Sequence, residues 1–164
     1  MRFLGFLLLA FASGVMVYEK ISLMRQRAAE YTATHSLLVY VKGALASERR
    51  TPAEALLGFG RGELGEALPW LKCLDTWDRV NSFLRERELL TSETALDYDD
   101  KAALSDFFFD FGKHTAEEEL SRLSGIIELF EKRAKENSAA AQKDEKSLWI
   151  LFVTVALGVF ILIL

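Results

Sequence analysis

Few groups in this chain could carry chemistry: two histidines, one cysteine, a run of three glutamates and a glycine-rich stretch. His35 falls in an apolar stripe with no neighbouring Asp or Cys, the setting of a satisfied core or interface histidine. His114 follows Lys113 in a predicted turn, where a cation is favoured by the C-terminal end of the preceding helix. Glu117, Glu118 and Glu119 open a predicted helix, and acids are favoured there by the helix dipole without any catalytic purpose. Cys73 stands alone, which excludes an internal disulfide and a Cys-rich metal site. No spacing makes a His-x₃-His, Glu-x-x-His or Cys-x-x-Cys ligand set. No catalytic residue, metal or cofactor is therefore expected.

The glycines from Gly58 to Gly65 include the spacing Gly60-x-Gly62-x-x-Gly65 of a dinucleotide fingerprint. That motif works only after a strand and before a helix, where backbone N–H groups aim at a pyrophosphate. No such unit surrounds it, and a flexible connection between helices is expected instead.

The elements around these residues read as helices throughout. Thr115 and Glu118 form a capping box opening a helix whose stripe is Leu120, Leu123, Ile127, Phe130 and Ala134. That helix meets no proline and runs into residues 148–164, where only Thr154 and Gly158 are not apolar and no charge occurs. Seventeen such residues is the short end of a membrane span. The first stretch mirrors the last: Phe3 to Tyr18 carries no charge, and Ile21, Met24, Ala28, Tyr31, His35, Leu38 and Leu45 follow in a helical pattern. The expected organisation is transmembrane helix 1 over residues 1–18, a helical-bundle domain over 19–147 and transmembrane helix 2 over 148–164.

Within the middle, Thr51, Pro52 and Glu54 mark a short helix ending near Gly58. A segment from Glu63 to Cys73 is broken or kinked at Pro69. Thr76 can cap a helix that buries Trp77, Val80, Phe83 and Leu84, with the stem of Arg87 beside them. Asp97 can cap a fifth helix with Asp100 three residues on, its stripe being Leu104, Phe107, Phe108 and Phe111, and Gly112 stops it. Phe109 lies about 140° from Leu104 and so off that stripe. The fold class is all-α, an antiparallel bundle of about six helices in which the first and last pair along their stripes.

Charge is unevenly spread. Residues 19–50 are net +3, 51–74 net −1 and 120–147 net +1, whereas 75–119 hold thirteen acids against five bases, net −8. Lys20, Arg25, Arg27, Lys132, Arg133, Lys135, Lys143 and Lys146 flank the inner ends of the apolar runs, with Arg2 alone outside. The positive-inside rule then makes the domain cytoplasmic. Ala10-Phe11-Ala12 before Ser13 imitates a signal-peptide cleavage site, but the apolar run continues to Tyr18 and the flanking bases oppose export. Ala10 with Gly14 and Thr154 with Gly158 place small residues one turn apart, as in closely packed membrane helices.

The sequence resembles the stage III sporulation protein AB family of endospore-forming bacteria over essentially its whole length. The resemblance rests on the N-terminal apolar run leading into a basic helix, Thr51-Pro52-x-Glu54-Ala55-Leu56, Trp77, and Asp99–Lys113 ending in Phe111-Gly112 before the capped last helix. Phe111-Gly112 replaces the family's Leu-Gly, Glu119-Leu120 stands where a Gln-containing segment is usual, and Gly158 stands without a Gly-Gly. The family is similar to the platform (F) protein of type II secretion and type IV pilus machines. The resemblance implies a two-span membrane platform in the mother-cell membrane facing the forespore, part of a secretion-like channel complex. The partners it implies are a secretion-type ATPase on the cytoplasmic side and the complex's ring-forming membrane subunits. A homo-oligomer is compatible with it, and nucleic acid is not among the expected partners. Asp97, Asp99, Asp100, Asp106 and Asp110, with Phe109 as apolar anchor, are the expected partner surface. The alternative is a two-span receptor with an extracytoplasmic ligand-binding bundle, which demands the opposite topology.

Overall fold

The computed structural model describes residues 2–47, 51–72, 74, 76–85 and 94–163, with backbone alone at 2–10, 47, 52, 63–64, 77, 83–85 and 159–163. Among them every regular element is helical: α1 (Arg2–Ser47), α2 (Pro52–Gly60), a 3₁₀ helix (Glu63–Ala67), α3 (Pro69–Lys72), α4 (Trp77–Arg85), α5 (Tyr98–Asp110) and α6 (Ala116–Ile163). The all-α expectation holds. The side chains of Cys73, Trp77, Phe83, Leu84 and Arg87 lie outside the described residues.

Local chemistry explains the boundaries. Thr51 Oγ1 accepts the Glu54 N–H while Glu54 accepts the Thr51 N–H at 2.7 Å, closing the capping box with Pro52 in the first turn. Thr115 and Glu118 do the same for α6: the Thr115 N–H donates to Glu118 Oε2 at 3.1 Å, and the Glu118 N–H to Thr115 Oγ1 at 3.4 Å. Gly112 ends α5 with φ +85°, a conformation costly for residues with a Cβ.

The glycine-rich connection is not the flexible loop its composition suggested. Helix α2 runs through Gly60, two residues turn, and the 3₁₀ helix begins at Glu63. A Cβ on Gly65 would stand 2.8 Å from the carbonyl oxygens of both Phe59 and Gly60, so that glycine lets the 3₁₀ helix lie against the end of α2. Pro69 separates the 3₁₀ helix from α3 as expected.

The chain forms two compact units, Met1–Ala28 with Glu136–Leu164, and Ala29–Lys135. In the second, Tyr31, Leu37, Leu38, Val41, Leu56, Leu68, Val80, Leu104, Phe108, Leu123 and Phe130 are buried together. Tyr31 and Phe130 stack with centroids 6.1 Å apart, and Lys42 Nζ donates to Ser124 Oγ at 2.9 Å. These contacts set α1 and α6 antiparallel within the unit, as the stripes predict. In the first unit, Arg25 makes a two-point ion pair with Glu145 (2.5 and 3.1 Å), and the two helices are again antiparallel. Fixed by this bond, Glu145 is held below the usual carboxylate range. Among the described residues no helix is long and apolar enough to cross a membrane.

Candidate functional site

The start of α5 is pinned from two sides. Tyr31, fully buried on α1, donates its O–H to Asp100 Oδ2 at 2.6 Å and accepts the Asp97 N–H at 3.1 Å. From α6, Arg133 Nε donates to the other Asp100 oxygen at 3.2 Å. One residue before Tyr31, buried Glu30 accepts the Ala95 N–H at 2.6 Å. Burial first, then the bond to Asp100, raises the Tyr31 hydroxyl to about 12.

Asp100 is 2% exposed and belongs to this buried network, which corrects its expected place on a partner surface. The physical reason is angular. Asp100 lies one turn before Leu104, so the stripe that buries Leu104, Phe107, Phe108 and Phe111 carries it inward. Asp97 occupies the N-cap position without a side-chain cap bond. Its Oδ2 lies 3.4 Å from the Tyr31 hydroxyl instead, and its residue is exposed.

The other aspartates form a line on the outside of α5. At about 100° per residue, Asp99, Asp106 and Asp110 fall within about 20° of a common direction, some 120° from the centre of the buried stripe. Along the axis they are about 10 and 6 Å apart. Asp99 and Asp106 are exposed. Asp110 is half-buried, 3.3 Å from Lys113 Nζ and 3.5 Å from Arg122 Nη2. The Lys113 bond leads in holding its carboxyl below the usual range. Phe109 flanks this line, half-buried, with Lys113 Nζ 3.7 Å from its ring centroid.

The turn after α5 is held by Glu119, which the sequence places only among the acids favoured in a first helical turn. Glu119 is 7% exposed, and its Oε1 accepts the N–H groups of Gly112 (2.8 Å) and His114 (3.3 Å). Glu118 stays exposed in the capping box, where the backbone and then the hydroxyl of Thr115 hold its carboxyl below the usual carboxylate range. His35 is half-buried on α1.

Of the four small residues at the apolar ends, Gly14 lies 3.5 Å, measured from an added Cβ, from the Phe152 ring. Thr154 is exposed and donates its hydroxyl to the Ile150 carbonyl, and among the described residues nothing lies within 4 Å of a Cβ at Gly158. Ala10 has no described side chain. Among the described residues no group of three His, Cys, Asp or Glu is placed to hold a metal ion.

The fold and site define an all-α protein in which nearly fifty-residue first and last helices flank an acidic, internally pinned fifth helix. The family model of stage III sporulation protein AB matches residues 2–164, and the chain belongs to that family. Membership implies a role in sporulation. No curated protein and no solved structure matches the chain.

Proposed function

We propose that this protein is a membrane platform of the secretion-like channel complex between mother cell and forespore, gripped from the cytoplasm by a secretion-type ATPase. It would sit in the mother-cell membrane facing the forespore, alongside the ring-forming subunits. The observation that carries the docking part is the line of Asp99, Asp106 and Asp110 on one exposed side of α5. Carboxylates at this spacing steer a basic partner surface and fix its register. Phe109, beside the line, supplies apolar area for a central contact once Lys113 moves off its ring.

Membrane attachment is supported by the apolar surface at both chain ends. Phe11, Met16 and Tyr18 on α1 and Ile150, Leu151, Val155 and Leu157 on α6 are all more than half exposed, a surface that water disfavours. The sequence extends both runs, to Phe3 at one end and Leu164 at the other.

The docking test is charge reversal. Asp99→Lys with Asp106→Lys should slow association with the ATPase and flatten its salt dependence, while the circular dichroism spectrum and melting temperature stay unchanged. ATPase binding that matches the parent chain at both low and high salt would falsify the assignment of this face.

A further inference from the structure

In the unit formed by Met1–Ala28 and Glu136–Leu164, an open groove of about 270 Å³ runs between α1 and α6. Lys20 and Met24 line it from α1, and Asp144, Ser147, Leu148 and Leu151 from α6. Its chemistry changes along its length. Leu148 and Leu151 begin the uncharged run of α6, and Asp144 lies one turn before it. On α1, Lys20 is one turn nearer the uncharged run than Met24.

Lys20 and Asp144 carry opposite charges, yet neither has an ion-pair partner among the described residues. Their neighbours Arg25 and Glu145 neutralise each other, leaving the groove's own charges unspent. Ser147 Oγ gives its proton to the Lys143 carbonyl and so offers the groove lone pairs only. Tyr18 and Trp149, 68% and 44% exposed, stand on the apolar side, the level at which such amphipathic rings mark a water–lipid boundary.

We propose that this groove binds the headgroup of a zwitterionic phospholipid bearing a primary ammonium, its phosphate on Lys20 and its ammonium on Asp144. The first acyl carbons would lie over Leu148 and Leu151. This rests on the membrane reading above. The order fits: in such a lipid the phosphate lies between the acyl chains and the ammonium, and here the cation lies nearer the uncharged run than the carboxylate. A primary ammonium donates three hydrogen bonds, which Asp144 and Ser147 Oγ can accept; a trimethylammonium donates none. The groove therefore selects phosphatidylethanolamine over phosphatidylcholine.

The experiment reconstitutes the full chain in phosphatidylcholine vesicles doped with phosphatidylethanolamine or phosphatidylcholine carrying an acyl-chain photoactivatable group. Flotation reports membrane attachment, and mass spectrometry of the photoproducts reports the groove. The expected result is flotation throughout, with phosphatidylethanolamine adducts several-fold above phosphatidylcholine adducts and mapped to the segment around Leu148 and Leu151. Asp144→Asn should erase the preference, and Lys20→Gln should lower labelling by both lipids. Flotation with equal labelling, or a preference that survives Asp144→Asn, overturns the groove assignment alone. Failure to float overturns the membrane reading and the groove with it.

Discussion

Tyr31 ties α1 to the start of α5 through one hydroxyl, and its chemistry sets a pH limit on the fold. Its O–H must stay protonated to donate to Asp100, and burial with that acceptor raises it from 10.0 to about 12. A group whose folded-state value is raised contributes stability that is complete below its unfolded value and lost as pH climbs through the folded one. Stability to urea should therefore fall between about pH 10 and pH 12 more steeply in the parent chain than in Tyr31→Phe. At neutral pH the same variant keeps the stack on Phe130 but strips a donor from buried Asp100 and an acceptor from the Asp97 N–H. A cost of about 1–3 kcal/mol is expected, read from denaturant midpoints. A variant as stable as the parent at pH 7 would show that water or Arg133 replaces the hydroxyl. Asp100 and Glu119 also show what a residue-level reading loses. Each sits one turn before a buried leucine, Leu104 or Leu123, so helical period already pointed both inward. Their charge argued for solvent. The donors that meet Asp100 come from Tyr31 and Arg133, far along the chain where periodicity has no reach, and those that meet Glu119 come from the backbone of the turn just before its helix.

At the scale of elements, local signals of two kinds were legible and a third was not. Capping boxes and stripes are properties of three to eight consecutive residues, so Thr51, Thr115 and the α5 phenylalanines could be read directly. The Gly58–Gly65 stretch failed because glycine signals both freedom and close approach, and only the neighbouring backbone decides between them. Gly65 is the close-approach case, with two carbonyl oxygens where its Cβ would go. Gly65→Ala should thus destabilise the chain by about 1–3 kcal/mol, the usual cost of overpacking. Gly43, within α1, has nothing among the described residues within 4 Å of an added Cβ. Gly43→Ala should stabilise by about 0.5–1 kcal/mol, since it removes only the entropic cost of glycine in a helix. The pair is checked by thermal melts of both variants. Equal shifts of the same sign would show that neither the contact at Gly65 nor the open space at Gly43 governs its response.

For the whole molecule, the proposed membrane attachment demands a side for the bundle, and charge gives that demand a definite form. Lys20, Arg25, Lys143 and Lys146 follow the inner ends of the two apolar runs closely. Carrying those four charges across a bilayer opposes the orientation bias that Lys and Arg impose on short flanks. The platform reading requires the domain in the cytoplasm, and a receptor would require it outside. Ala102, exposed on α5, can carry a reporter cysteine in a Cys73→Ser background. Expressed in a bacterial plasma membrane, Ala102→Cys should react with an impermeant thiol reagent only after the cells are opened. Inverted vesicles, which turn the cytoplasmic face outward, should label without any detergent. Reaction in intact cells would place the acidic face of α5 outside, beyond the reach of a cytoplasmic ATPase, and the docking proposal would fall while the family assignment stood.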